Sequence, residues 1–305
     1  MSANNDSLLP TPYSLLPSGV SLDFSGPALV MAIVNCNEDS FYAPSRALGE
    51  KAVEMALAAE RDGAAIVDFG AESSRPGSSY ISEEEELERL VPVVGAFRKR
   101  SSLPVSVDTR KAVVARAVLD AGADIINDIS SLADDHGMAA VCAERGAAVV
   151  LVYKKGIPLT MQENPAYGDL LVELGSFFRE AVGRTLEAGI SPERIIVDPG
   201  IGFGKSLEDN LEILRNLPRL AEICGKGYPL LVGLSRKGFI GEIMCRSGTI
   251  QAACNSADRL AGTLAANAAA VMAGADIIRV HDVKEHRDLV NVLFALREKQ
   301  QLPGH

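Results

Sequence analysis

The feature that most restricts the fold of this chain is an eightfold alternation of short apolar runs with amphipathic stretches. The apolar runs are rich in Val, Ile and Leu, which is typical of parallel strands buried on both faces. Four of them are introduced by Gly-Ala, where a glycine that ends one helix leads into the next strand. The predicted strands span residues 28–35, 64–70, 105–109, 123–129, 147–153, 194–197, 229–235 and 275–281.

Eight strand–helix repeats favour a parallel sheet that closes into a barrel with its helices outside. We therefore expect an α/β fold, a single-domain (β/α)8 TIM barrel. An open, doubly wound sheet is the alternative, but polar residues recur at many strand ends rather than at one crevice. Residues 1–24 show no clear period and are expected to form an N-terminal arm or covering segment, with the barrel at residues 25–300.

Charge and composition exclude several classes of protein. The net charge of −10 argues against nucleic acid and anionic membranes as partners. No apolar run reaches the ~18 residues of a membrane helix, and the first thirty residues lack the pattern of a secretory signal. The five cysteines show no CxxC spacing and are typical of thiols in a reducing cytosol, so we expect a cytoplasmic protein.

The most informative single motif is the segment 195–205, Ile-Ile-Val-Asp-Pro-Gly-Ile-Gly-Phe-Gly-Lys. A strand should end at Asp198, because Pro199 cannot donate to a strand ladder. Three glycines at alternate positions leave backbone open to a ligand. Lys205 closes the loop, and Ser206 is placed to cap a helix. Alone, this would be a tight strand-to-helix turn with a capping acid, but the arrangement recurs elsewhere in the chain.

Polar residues follow most of the predicted strands, and in a closed barrel the carboxyl ends of the strands converge on one face. These residues are Asn35, Glu72, Ser74, Arg75, Asp108, Asn127, Asp198, Ser235, Arg236, Lys237, Arg279 and His281. Taken singly, Asp108 and Asn127 could cap helices. Arg279 could pair with a surface carboxylate, and His281 could be a core histidine. So many on one rim are hard to explain independently, and we predict one site.

The rim is chemically mixed, which suits a flat heterocycle with amide, amine and ring nitrogens along its edge. The donors and acceptors for such an edge are Asp108, Asn127, Asp198 and Lys237. Arg279 offers a planar guanidinium that can stack on a ring. Arg75, Arg279 and His281 could receive a diphosphate, and Asn35 could hold a divalent metal on it. Zinc spacing and a P-loop are both absent.

These motifs make the chain resemble the dihydropteroate synthase family. The matching segments are Asn35 with 39–41, 72–77, 82–86, 107–109, 126–129, 156–162, 198–205, 233–237 and 279–283. They follow the family's order over about residues 28–290. The resemblance implies a TIM barrel, usually a homodimer, that joins a dihydropterin hydroxymethyl diphosphate to p-aminobenzoate and releases pyrophosphate, with Mg²⁺.

The resemblance also implies residue roles. The pterin would contact Asp108, Asn127, Asp198, Lys237 and Arg279. The diphosphate would contact Asn35, Arg75, Arg279 and His281, with Asn35 also on the metal. The p-aminobenzoate pocket would consist of Phe41, Ser74, Arg75, Pro76, Phe203 and Lys237. Asp108, Asp198, Lys237 and Arg279 would be catalytic, the two acids stabilising a cationic pterin methylene while loops 36–46 and 71–80 close over the site.

The chain departs from the family's usual pattern in four places. Asn37-Glu38 replaces Thr-Pro, 42–45 replaces a glycine-rich segment, Val152-Tyr153 replaces Met-His, and Gly238 replaces a Ser. Two alternatives therefore stay open. One is a pterin-binding paralogue with weak or no synthase activity. The other is a methylfolate-dependent methyltransferase module, which would lack the triplet 235–237.

Overall fold

The computed structural model describes residues 13–36, 45–72, 80–156, 161, 165–223, 227–248 and 256–297. A hairpin of β1 (Tyr13–Leu15) and β2 (Ser21–Asp23) precedes the eight-stranded sheet. The strands of that sheet are β3 (Leu29–Asn35), β4 (Ile66–Gly70), β5 (Val105–Asp108), β6 (Ile125–Asp128), β7 (Ala148–Val152), β8 (Ile195–Asp198), β9 (Leu231–Val232) and β10 (Ile277–Val280).

The helices surround this sheet. They are α1 (Ser45–Asp62), α2 (Glu83–Arg98), α3 (Ala112–Asp120), α4 (Met138–Arg145), α5 (Leu170–Glu187), α6 (Leu207–Arg215), α7 (Leu217–Ile223), α8 (Gly238–Arg246), α9 (Leu260–Met272) and α10 (Val283–Arg297). Among the described residues, no helix is long and apolar enough to cross a membrane.

The parallel strands close into a barrel, which confirms the predicted fold class. Their order is β8-β7-β6-β5-β4-β3-β10-β9, and every neighbouring pair is parallel. A parallel bridge between Val197 and Leu230 joins the two ends of this order. The Val197 N–H donates to the carbonyl of Pro229 at 3.0 Å, so β8 and β9 are hydrogen-bonded neighbours.

Side chains alternate between the inside of the barrel and the outer layer, as they must on a pleated strand. Ile66, Ile125, Ile196 and Ile277 belong to the inner apolar cluster, whereas the residue after each belongs to the outer cluster under the helices. The polar residue two positions after each isoleucine therefore returns to the inside. This places the polar rim directly above an apolar layer.

The hairpin covers the amino-terminal end of the barrel. Leu16 and Leu22 are buried in the same cluster as the inward isoleucines. The backbone N–H of Ser18 donates to Oδ1 of Asp124, a buried carboxylate that also pairs with Arg98 at 2.7 Å. The hairpin thus closes the end opposite the polar rim, while the domain boundary near residue 24 stays a prediction.

The local structure has three features that the strand pattern does not predict. The segment 207–223 forms two helices, α6 and α7, because Pro218 has no N–H and its ring clashes with the preceding turn. The seventh strand has two residues rather than seven. The helix α8 begins six residues after the end of this strand.

Candidate active site

The inward polar residues meet at the carboxyl end of the barrel. The strand register aligns Asn35 with Gly70, Gly70 with Asp108, and Asp108 with Asn127, so these residues stand at one level on four adjacent strands. Asp108 and Asn127 do not cap helices, since neither α3 nor α4 has a side-chain N-cap bond. Their helix-cap interpretation is therefore excluded.

Arg279 lies among buried carboxylates rather than at the surface. Its Nε donates to Oδ2 of Asp68 at 2.6 Å, and one terminal nitrogen donates to Oδ2 of Asp108 at 3.1 Å. Asn127 Nδ2 is 3.4 Å from the same Asp68 oxygen. Asp68 is fully buried and links residues on β6 and β10 from its own strand β4. The cluster thus contains one cation, two carboxylates and an amide.

Asp198 and the glycine-rich loop after it form the facing side of the site. The Asp198 carboxylate accepts the N–H of Gly200 at 2.7 Å, which fixes the side chain against the turn. Lys237 donates to the carbonyl of Ile201, and its ammonium stands 4.5 Å from the centre of the Phe203 ring. The loop segment 198–203 and Lys237 therefore form one wall of the site.

Lys205, for which the sequence predicts only a position at the end of the loop, is buried under this loop. Its ammonium donates to the carbonyls of Gly200 at 2.8 Å, Phe203 at 3.0 Å and Tyr153 at 3.4 Å. Ser206 caps α6 as predicted, in a capping box with Asp209. Asn210 accepts the Gly202 N–H at 2.7 Å. These bonds hold the backbone that carries Asp198 and Phe203.

Burial shifts the ionisation of the site residues. It raises the pKa of Asp108 to about 7, while the Arg279 guanidinium opposes the shift and Asp68 adds to it. It also raises the pKa of Asp198, against the opposing effects of Lys237 and the Gly200 N–H. Burial lowers the pKa of Lys237 to about 8 and of Lys205 to about 7. The charged forms are thus disfavoured on both sides of the site.

The triplet 235–237 is divided between two environments. Ser235 Oγ is 2.9 Å from Nδ1 of His281, which is exposed rather than part of the core. Arg236 has a left-handed φ of 58° and turns away to Asp282, with bonds of 3.0 and 2.5 Å. The triplet therefore points Lys237 at the Gly-rich loop and binds Arg236 to the start of α10.

Glu72 lies beside the site rather than in it. Its carboxylate accepts the N–H of Ile81 at 2.8 Å and pairs with Arg110 at 3.2 Å. Lys111, which is buried, donates to the carbonyl of Ile81 at 2.7 Å and to Glu86 at 2.6 Å. These bonds join the two ends of the segment 73–79.

The structure covers only part of the predicted site. Asp108, Asn127, Asp198, Phe203, Lys237, Arg279 and His281 all lie at the carboxyl end of the barrel. Asn35 ends β3, where it is exposed. The predictions for Phe41, Ser74, Arg75 and Pro76 lie outside the described residues. Sequence reasoning missed Asp68, although it follows an inward isoleucine by two positions as Asn127, Asp198 and Arg279 do.

The chain is similar to proteins of one family along nearly its whole length. The family model described as "Pterin binding enzyme" matches residues 31–281. Dihydropteroate synthases of Escherichia coli K12 and a Synechocystis strain are 43% and 41% identical over 283 residues, which is 92% of this chain and 95% and 94% of theirs. The solved Xanthomonas albilineans dihydropteroate synthase with 4-aminobenzoic acid has a TM-score of 0.84 at 37% identity, covering 95% of this chain and 100% of the other.

The family match extends over most of the barrel, and the chain belongs to the pterin-binding enzymes. Within it, the chain belongs to the dihydropteroate synthases.

Proposed function

We propose that this chain condenses 6-hydroxymethyl-7,8-dihydropterin diphosphate with p-aminobenzoate to give 7,8-dihydropteroate and pyrophosphate. The observation on which the proposal depends is the inward cluster of Asp108, Asn127, Asp198, Lys237 and Arg279 at the mouth of a barrel of this family. Incubating the purified protein with both substrates should release dihydropteroate and pyrophosphate in equal amounts. A protein that forms neither product would refute the proposal.

The polar atoms along the edge of the pterin ring would each form a hydrogen bond with a side chain of the site. Asp108 and Asp198 are acceptors when ionised, Lys237 is a donor, and Asn127 is both. A pterin ring has amine, amide and ring nitrogens that need such partners. Arg279 would stack on the ring face, since its guanidinium is planar and its Nε is already bound to Asp68. The low solvent exposure of this cluster supports a ligand that is enclosed rather than adsorbed.

The reaction would proceed through loss of the leaving group. The bond from the pterin methylene carbon to the diphosphate oxygen breaks, and pyrophosphate leaves with the electron pair. Asp198 and Asp108 would stabilise the resulting cation, because buried carboxylates in a water-poor site act strongly on a developing charge. The amine nitrogen of p-aminobenzoate then bonds to the methylene carbon and loses a proton.

The basic residues on the rim would bind the diphosphate. We propose His281, Arg279 and Arg75 for this role, and Arg75 lies outside the described residues. The Ser235 hydroxyl, 2.9 Å from His281 Nδ1, orients the imidazole ring and supports His281 as a member of this group. If these basic residues bind the diphosphate, the carboxylates remain available to bind the edge of the pterin ring.

The residues fit Mg²⁺ only as a partner of the diphosphate. Among the described residues no group of three or more His, Cys, Asp or Glu side chains could hold a metal. The exposed amide of Asn35 at the end of β3 offers one oxygen ligand. Mg²⁺ is usually bound by one or two protein groups together with substrate phosphates and water, so the donor set is suitable. When bound, the ion would neutralise part of the leaving group's charge.

For p-aminobenzoate we propose a pocket formed by Phe203 and Lys237 with Phe41, Ser74, Arg75 and Pro76. Only the first two are described, and their contact of 4.5 Å places a ring and an ammonium together. An aromatic carboxylate suits this pair, because the ring can pack on Phe203 while the ammonium stands near its charge.

We further propose that the chain is a homodimer that associates through α9 and α10. Met272, Val292 and Leu296 are 55%, 59% and 75% exposed on these two helices. The two helices pack on each other, and Arg297 near the end of α10 donates to the carbonyl of Val271 in α9. An exposed apolar face on two packed helices suits a second copy presenting the same surface.

A further inference from the structure

Asp68 is a buried carboxylate that the proposed function does not place in contact with either substrate. It occupies an inward position of β4, directly above the inner apolar residue Ile66, and is 0% exposed. Its Oδ2 accepts from both Arg279 and Asn127. Its Oδ1 is buried with no hydrogen-bond partner among the described residues. A half-satisfied buried carboxylate costs stability, so its presence calls for a reason other than packing.

Asp68 fixes the guanidinium of Arg279. The bond to Nε is the shorter of the two that Arg279 makes to carboxylates, 2.6 Å against 3.1 Å to Asp108. An Nε bond holds the group by its stem side and leaves the terminal nitrogens to exchange partners. When a ring enters beside Asp108, Arg279 can therefore give up Asp108 and keep its orientation through Asp68.

Asp68 also decides how Asn127 presents its amide. The NH2 of Asn127 donates to Asp68 Oδ2 at 3.4 Å. The amide oxygen is then turned away from Asp68. A ligand at this position is offered an acceptor and one remaining N–H in a defined order, which is what distinguishes one heterocycle edge from another.

We propose that Asp68 is a positioning residue for pterin recognition, which holds the stacking guanidinium of Arg279 and sets the amide orientation of Asn127. This inference depends on the proposed function, since it concerns the same site. It assigns selectivity for the pterin to a residue that need not touch the ligand. The partner substrate, p-aminobenzoate, should be unaffected by it.

The test compares two buried aspartates that are each paired with an arginine. Asp124 is 1% exposed and pairs with Arg98 at 2.7 Å, but it lies at the opposite end of the barrel. Calorimetric titration with 6-hydroxymethyl-7,8-dihydropterin diphosphate, without p-aminobenzoate, should give binding about tenfold weaker in Asp68→Asn and about a hundredfold weaker in Asp68→Ala. Asp124→Asn should bind like the wild type and lose only thermal stability.

Kinetics separate positioning from a general loss of structure. In Asp68→Asn the KM for the pterin diphosphate should rise while the KM for p-aminobenzoate stays at the wild-type value. The acid limb of the pH profile should also move. Asp108 is faced by Arg279 from β10, Asp68 from β4, Glu86 from α2 and Asp128 from β6. Removing the charge of Asp68 lowers the pKa of Asp108, so the acid limb should shift to lower pH.

The outcomes distinguish a failure of the role proposed for Asp68 from a failure of the proposed function. If Asp68→Asn binds the pterin within about threefold of wild type with an unmoved acid limb, Asp68 is not a positioning residue. If both KM values rise equally, the substitution has disturbed the whole site and the inference is also wrong. If the wild type itself fails to bind the pterin, the proposed function fails instead.

Discussion

Gly200 is the position where the site geometry makes the sharpest prediction about a single methyl group. Its φ is +64°, and a Cβ built on it would lie 1.8 Å from the carbonyl oxygen of Tyr153. Side-chain carbons essentially never approach a backbone oxygen within 3.0 Å, so Gly200→Ala requires the backbone to move by more than about 1 Å. The movement must occur beside Asp198, because Gly200 N–H is bound to its carboxylate at 2.7 Å.

The expected loss of stability has two parts. A left-handed conformation costs a non-glycine residue roughly 1–2 kcal/mol. The displaced carbonyls, those of Gly200 and Tyr153, accept from the buried ammonium of Lys205 at 2.8 and 3.4 Å. A hydrogen bond to a charged group contributes about 1.5–3 kcal/mol, so losing one brings the total to about 2.5–5 kcal/mol.

A control substitution at a second left-handed glycine separates the effect of the contact with Tyr153 from the cost of the left-handed conformation. Gly189 has a φ of +92°, and a Cβ built on it meets nothing within 4 Å. In urea unfolding, Gly189→Ala should lower the free energy of unfolding by about 1–2 kcal/mol and Gly200→Ala by about 2.5–5 kcal/mol. Gly200→Ala should also lose pterin binding, whereas Gly189→Ala should not. Losses that agree within about 0.5 kcal/mol would refute the reasoning, because the contact with Tyr153 would then have no weight.

Three further outcomes are expected. Asp198→Asn should stay folded but reduce turnover at least ~10²-fold in steady-state assays, since it removes charge directed at a developing cation; near-normal turnover would contradict this role. The pKa of Asp108 is raised to about 7, so its contribution to stability is full below about pH 3.8 and is lost as the pH rises through 7. The unfolding free energy of wild type minus that of Asp108→Asn should therefore fall between pH 5 and pH 8, and a rise would show that Arg279 outweighs burial. Leu296→Asp should give a monomer in sedimentation, whereas Val172→Asp, an equally drastic change at a residue 60% exposed on α5, should stay a dimer.

The sequence was sufficient for the barrel and for most of its polar rim because the strands repeat one local pattern. Ile125, Ile196 and Ile277 face the inside, and the polar residue two positions later shares that face. A period of two that ends in a polar residue is visible without coordinates. Asp68 obeys the same rule, and like Asn127 and Arg279 it lies two residues before the end of its predicted strand. The inward register therefore selects all four residues, and applying it to every strand would have included Asp68.

The local predictions failed where packing or a single backbone constraint decides the structure. The segment of α8 has two glycines and no clear apolar period, yet Phe239 and Ile240 are buried against the rest of the barrel. Tertiary contact therefore outweighs weak helix propensity there. The hairpin strands have three residues each, which is too short for a pattern to be read from sequence. No local signal pairs Lys205 with the Tyr153 carbonyl, since 52 positions separate them.

The ionisable groups at the mouth of the barrel are buried, which removes part of the water that would solvate their charged forms. Burial raises the pKa of Asp108 and Asp198 and lowers that of Lys205 and Lys237, so each group opposes folding in its charged form. The apolar layer below, which includes Ile125, Ile196 and Ile277, contributes stability through burial of apolar surface. On the proposed function, a pterin donates to the carboxylates, and its methylene develops a positive charge beside them as pyrophosphate leaves. The unfavourable burial of these carboxylates is then offset in the transition state rather than by substrate binding alone. Interactions that are stronger in the transition state than in the bound substrate raise turnover instead of only increasing substrate affinity.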